Sequence, residues 1–259
     1  MSELLTWNVA GRVTGVAEQA TALAERAADV VCLQEVRAPA APAWRELLGE
    51  LGYAHAIATL EPGDVSSATP PTRRLGVLTA ARTPLARATV PALPWPERHL
   101  AVEVDGVVVH NLHAPVSQKA GQVKVRTLEA IAAQLAAARD PVVLAGDLNT
   151  PQYESREGEV RSFARTRGGA IRPDRGERHD RAELGIVPGL AEHGFVDAFR
   201  AVNGYAARDR SWLYRHGKMG YRLDHIFVRG LRVEACAYVH TWRERRLSDH
   251  SALWARLEA

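Results

Sequence analysis

Val142–Thr150 reads VVLAGDLNT. An apolar run enters Gly146, and two polar residues follow with one residue between them, Asp147 and Asn149. Alternate side chains of a strand share a face. The spacing therefore predicts a buried strand that presents an acid and an amide together at its carboxyl end. Gly146 before the pair and Pro151 after it mark where the strand stops. A carboxylate beside an amide can align a water and hold an anionic oxygen. Asp and Asn also favour turns, so this stretch alone reads equally well as a strand running into a turn.

The same pattern recurs on both sides. Leu4–Val9 reads as a strand ending near Asn8, and Asp29–Leu33 as a buried strand followed by Gln34-Glu35. Further strands are expected at Tyr53–Thr59 and Leu75–Thr79. His99–Val104 and Val107–Leu112 alternate around Asp105-Gly106, a hairpin signal, and lead to His113. Ser211–Tyr214, Arg222–Val228, Val233–His240 and Ser251–Leu257 complete the strands. Helical spacing predicts helices over Val16–Ala28, Ala43–Leu51 and Gln118–Ala138, the last carrying Val125, Leu128, Ile131 and Leu135 on one side. Glu61–Arg73 reads as a loop. Hairpins mixed with helical crossovers imply two packed sheets with helices outside rather than one parallel sheet.

Composition narrows the class. The 259 residues suffice for a substantial core, and no linker divides them. A net charge of +3, carried mostly by Arg, suits a polyanionic partner without requiring one. Cys32 and Cys236 lie far apart in apolar runs and read as buried free thiols. The first strand begins too early for a signal peptide, and no apolar run reaches membrane-spanning length. A soluble cytoplasmic protein with no obligate protein partner is expected. Between Gln152 and Arg181, Arg recurs about every third residue and apolar residues nearly vanish. This segment reads either as a solvated mobile insertion or as an arm over a nucleic-acid backbone.

Asn8, Glu35, His113, Asp147 with Asn149, Asp224, and Asp249 with His250 all fall just past apolar strands. Each has a bland reading as turn, cap or surface residue; together they suit metal-assisted phosphodiester cleavage. Hard oxygen ligands without a Cys or His cage suit Mg²⁺ or Mn²⁺. A carboxylate orients the attacking water, and a histidine held by a second carboxylate donates to a phosphate oxygen.

The ordered set WN…LQE…NLH…GDLN…SW…RLDHIF…SDH resembles the endonuclease/exonuclease/phosphatase superfamily, with its deoxyribonuclease I-like fold, from Thr6 to Leu253. The resemblance implies an α+β fold: a single four-layer αββα sandwich of two mixed, mostly antiparallel sheets, with one cleft where strand ends meet. It implies that Asn8, Glu35 and Asp249 lie on the side of one or two metal ions. It assigns Asp147 to the water, Asn149 and His250 to the phosphate, and Asp224 to orienting His250. Ser211-Trp212 and Gly220-Tyr221-Arg222-Leu223-Asp224 resemble the exonuclease III branch, which implies action on double-stranded DNA beside abasic sites or at 3′ ends. Trp212, Tyr221 and Leu223, with Arg222, would then contact substrate. That branch carries tyrosine where this chain has His113. Histidine there is more similar to deoxyribonuclease I and to the sphingomyelinase and inositol-phosphatase branches, and the segment from Trp212 to Asp224 is short. A phosphatase or phosphodiesterase of a small molecule, phospholipid headgroup or RNA is thus the alternative enzyme. A nucleic-acid-binding module with a retired site is the non-enzyme alternative.

Overall fold

The computed structural model describes residues 1–60, 74–116, 122–139, 141–214 and 219–258. Two six-stranded sheets pack face to face. The first runs, edge to edge, through Arg232–Val239, Ala252–Glu258, Glu3–Asn8, Val30–Val36, Gly76–Ala81 and His55–Ala58. The second runs through Val196–Asp197, Asp224–Arg229, Val142–Asp147, Val107–His113, His99–Val104 and Ala86–Arg87. Inward-facing residues of both, among them Leu4, Val30, Val77, Val102, Val143 and Ile226, form the central core. The outer face of the first sheet is covered by helices Val16–Ala24 and Ala41–Glu50, and that of the second by helix Val123–Ala137. The expected four-layer α+β sandwich is the one observed.

Each sheet contains one parallel pair. Glu3–Asn8 runs parallel to Val30–Val36, and Val107–His113 parallel to Val142–Asp147; every other pairing within the two sheets is antiparallel. The four parallel strands bring their carboxyl ends to one edge of the sandwich. Their antiparallel neighbours must begin there. Asp224 therefore faces Asp147 in register although it starts its strand, and Asp249-His250 immediately precede Ala252–Glu258. The expectation that these residues follow strands is corrected for Asp224, Asp249 and His250: they enter the edge rather than leave it.

Local geometry aims the side chains. Glu35 sits at an irregularity in the pairing of Val30–Val36 with Gly76–Ala81, with φ +58°. The extra residue changes which way the side chain faces. Gly146 has φ +145°, and a Cβ there would lie 1.9 Å from the Leu112 carbonyl oxygen, so only glycine allows the two parallel strands to approach. Asn149 has left-handed φ (+51°). Asp147 and Asn149 share a face through a turn in which the Asn149 N–H donates to Asp147 Oδ1 (3.0 Å), not through the alternation of one strand.

Several expected elements shift. The first helix stops at Ala24 rather than Ala28, because Ala27 turns to φ +49° and Asp29 N must reach Glu3 O. The Arg-rich segment contains the strand pair Tyr153–Glu154 and Val160–Arg161, and helix Gly176–Leu184 begins inside it. Arg165 is tied to Asp180 and Arg178 to Glu129, so part of its charge is spent within the protein. Strand Met219–Tyr221, paired with Trp212–Tyr214, and helix His240–Glu244 were not legible in the sequence. The loop read over Glu61–Arg73 and residues 118–121 of the third helix lie outside the described residues. Cys32 and Cys236 are buried and free. Among the described residues, no helix is long and apolar enough to cross a membrane.

Candidate active site

The convergent edge opens into a cleft of about 580 Å³, whose walls include Glu35, His113, Asp147, Asn149, Asp249 and His250. Asp147 lies at its buried centre. Asn8 Nδ2 donates to Asp147 Oδ2 (3.0 Å) and to Glu35 Oε1 (3.2 Å). Asn8 Oδ1 accepts from Ala10 N (2.9 Å), which fixes the amide with its NH₂ toward the two carboxylates. Asn149 Nδ2 donates to Ala114 O (2.8 Å).

On the other side of Asp147 stands His250. Its Nδ1 lies 2.8 Å from Asp224 Oδ2, and its Nε2 lies 3.8 Å from Asp147 Oδ2. Burial opposes charge on this imidazole, but Asp224 and Asp147 outweigh burial and hold its pKa up at about 10. His250 is therefore an imidazolium whose Nε2 is free to donate into the cleft. Burial also drives the Asp147 carboxyl up, to about 7, against the pull of His250. Asp224 is positioned by its backbone: Asp224 N donates to Ser211 Oγ (3.1 Å), and its carbonyl accepts from Tyr238 Oη (2.6 Å). Ser248 links the halves, donating through Oγ to Asn8 O (2.6 Å) and accepting from His250 N (3.1 Å).

His113 has the opposite state. Burial lowers its pKa well below the ordinary range, and Arg98 and His250 push the same way. Its Nε2 is 3.6 Å from Glu35 and 3.7 Å from Asp147. Both separations exceed hydrogen-bond length and the buried ring is neutral, so these contacts are not ion pairs. Arg98 lies 3.4 and 3.5 Å from the two ring nitrogens, against the ring rather than on one lone pair.

Asp147, Asp224 and His250 form a compact trio whose ligand atoms all lie within 4.8 Å of one another. Asp224 Oδ1 is buried without a hydrogen-bond partner. His250, as an imidazolium, has no lone pair to offer, so the donors for a cation are the carboxylate oxygens of this trio and of neighbouring Glu35, which suits a hard divalent ion. Asp249 is exposed on the rim and accepts from Trp212 Nε1 (3.0 Å).

Trp212, Tyr221 and Leu223 wall the same cleft. Trp212 stacks on Tyr214 and Tyr221 at 5.5 and 6.2 Å. Arg222 turns away from this wall. It is buried and donates to Glu154 (2.7 and 2.8 Å) and to Asp197 (2.7 Å). Burial works against the Glu154 charge, but Arg222 and Arg200 overcome it and hold the carboxyl at about 2.

Eleven residues were not singled out from sequence yet support the site. Gln34 Nε2 donates to Asn111 Oδ1 (2.8 Å), joining the two sheets beneath the cleft. Lys124 Nζ donates to Asn149 O and to Glu183 Oε1, both at 2.6 Å. Glu183 is also contacted by His179, Thr150 and Phe163 N. Arg98, Ser211, Ser248 and Tyr238 complete the group. Gln34, Asn111, Thr150, Ser211 and Ser248 stood inside the quoted motifs; Lys124 carried only the weak signal of a charge on the apolar side of its helix.

The model of the Endonuclease/Exonuclease/phosphatase family matches residues 5–250. The chain belongs to that family. An AP endonuclease from Archaeoglobus fulgidus superposes with a TM-score of 0.73 at 22% identity, covering 100% of each chain. A family protein from Beutenbergia cavernae gives 0.69 at 23% identity, covering 99% of this chain and 71% of that one. A 3′ phosphatase from Neisseria, bound to a product DNA hairpin, gives 0.68 at 20% identity with 100% coverage of both. A search of curated proteins finds no match. These likenesses agree with the αββα family fold.

Proposed function

We propose that the chain is a single catalytic domain acting as a divalent-metal-dependent phosphodiesterase on double-stranded DNA, incising beside abasic sites or trimming 3′ ends. The observation that carries this reading is Asp147 held between the Asn8 amide and the His250 imidazolium, on the floor of a cleft walled by Trp212, Tyr221 and Leu223. Glu35 would hold Mg²⁺ or Mn²⁺; Asn8, whose NH₂ faces the Glu35 and Asp147 carboxylates, orients them rather than ligating the ion, and Asp249 stands on the rim with Trp212. When bound, such an ion neutralises charge on the phosphoryl and leaving oxygens. Asp147 orients and deprotonates the attacking water. His250 donates from Nε2 to a phosphoryl oxygen, with Asp224 fixing its tautomer and charge. Asn149 offers its amide to the same group. An AP endonuclease and a DNA-bound 3′ phosphatase among the structural neighbours favour DNA.

The test is a duplex carrying a stable abasic analogue, incubated with Mg²⁺. Incision beside the analogue is expected, and Asp147→Asn lowers the rate by about 10²-fold or more. Loss of 3′ nucleotides without incision would reduce the activity to an exonuclease. Unchanged DNA binding and no turnover by either form would leave the binding module. His113 supports a second reading, a phosphatase or phosphodiesterase of a small molecule, phospholipid headgroup or RNA. Turnover of one of these with none on DNA would establish it.

A further inference from the structure

A second cavity, of about 640 Å³, shares Gln152, Arg172, Tyr214 and Tyr221 with the catalytic cleft but none of its acids or histidines. Its charge is one-sided. Besides Arg200 and Arg222, which Glu154 already holds, and Arg161, which pairs with Glu159, it is lined by Arg167, Arg172, Arg208 and Arg210. The carboxylates on its wall are Glu154 and Asp209, and Asp209 faces His240 at 2.7 Å. Arg208 is anchored by one hydrogen bond to Glu154 O, and Arg172 by one to Arg165 O, so each keeps further N–H groups to offer. Among the described residues, no side-chain hydrogen bond from Arg167 or Arg210 is formed. A chain with a net charge of only +3 has concentrated guanidinium groups around one hollow. Such crowding is self-repulsive unless an anion enters, and the guanidinium fork matches phosphate.

The shape indicates what kind of phosphate. A cavity of this size takes a small group and not the body of a duplex. Between the two cavities stand Tyr214 and Tyr221, their hydroxyls 3.2 Å apart and their rings stacked at 5.4 Å beside Trp212. Stacked aromatics offer a ledge on which an unpaired base can lie. Beyond, Arg208 and Arg210 also line a third hollow of about 320 Å³ with Arg243 and His240. The positive surface thus continues as a track.

We propose that the arginine-lined cavity is a second phosphate site, holding a backbone or terminal phosphate of the strand whose reacting phosphate lies at Asp147, with that strand unpaired where it crosses the Tyr214–Tyr221 pair. The strand's identity as nucleic acid rests on the proposed function; the site itself does not. The experiment uses metal-free protein in EDTA, so that binding is read without turnover. Wild type, R167A/R210A, and R126A/R139A (the same charge change on exposed residues outside both cavities) are titrated with labelled (dT)₁₀ over a range of salt, and with pyrophosphate.

R167A/R210A is expected to bind (dT)₁₀ about tenfold or more weakly. Its log K should fall less steeply with log salt, by about 1.4, for two lost contacts to a single strand. It should lose pyrophosphate affinity, and the control pair should match wild type. A 5′-phosphate on (dT)₁₀ that strengthens wild type but not R167A/R210A assigns the terminal phosphate; equal losses with and without it assign the backbone. Unchanged (dT)₁₀ affinity and slope in R167A/R210A, or equal losses in the control, overturn the proposal. Should wild type cleave no nucleic acid while these binding differences hold, the second site stands and the proposed activity fails.

Discussion

Asp224→Asn tests the proton inventory of the site. The carboxylate is fully buried and meets His250 Nδ1 at 2.8 Å. A rise of the imidazole from 6.5 to about 10 corresponds to about 5 kcal/mol in favour of its charged form. Burial subtracts from the gross attraction, and Asp224, Asp147 and Asp249 share it. The single charge-assisted hydrogen bond accounts for about 1.5–3 kcal/mol. Asparagine can still accept from Nδ1 but carries no charge, so the imidazole should fall by about one to two pH units, to about 8–9. His250 then remains protonated at neutral pH. The loss in kcat/KM at pH 7 is therefore moderate, about 10–10²-fold, and reflects weaker stabilisation of the transition state. The alkaline limb of the pH–rate profile should move down by the same one to two pH units. The assay is kcat/KM on the abasic duplex from pH 6 to 10.5, with the His250 ring followed by NMR in metal-free protein. An alkaline limb that stays in place while the rate falls would refute the role given to His250.

Two further perturbations probe the scaffold. Glu183→Gln leaves the buried Lys124 ammonium without its carboxylate, 2.6 Å away in the wild type, and should cost about 3–5 kcal/mol. That lowers the thermal midpoint by about 6–20 °C, whereas Glu177→Gln, on the exposed side of the same helix, should stay within about 0.5 kcal/mol; calorimetric melts that shift equally would count against the pair. His99 and His110 are buried, hydrogen-bonded at 3.0 Å, and held by burial at about 3 and about 4. Both lie below the unfolded value of 6.5, so the unfolded chain binds more protons in acid. Their contribution is complete above pH 6.5 and is lost as pH falls toward 4 and then 3. Between pH 6.5 and 5 urea unfolding should register a loss of up to about 4 kcal/mol, absent from His99→Leu/His110→Leu.

Much of this molecule could be read from the chain because its strands are short, apolar and sharply ended. The hairpin around Asp105-Gly106 and the strand Val142–Asp147 fall where alternation and glycine place them. The polar residues were visible because each interrupts an apolar run. What the sequence hid was direction. Asp224 starts its strand and His250 precedes its own, and only the sheet order, with one parallel pair per sheet, brings them to the edge that Asn8 and Asp147 leave. It also hid charge pairing over long separations. Arg222 read as a substrate contact from its neighbours, but Glu154, 68 residues away, draws it into the interior. Lys124 is invisible for the same reason, since its partner Glu183 lies 59 residues away, just past the Arg-rich segment.

The cleft is a seam. Asn8, Glu35 and His250 come from one sheet or its approach, and His113, Asp147 and Asp224 from the other, so neither half owns a complete reaction centre. Slippage of one slab past its mate by a single pleat would scatter the chemistry while leaving each slab intact. Catalytic competence therefore reports that the two slabs have locked together in alignment, and a cation bridging the seam would act as the rivet that holds them there.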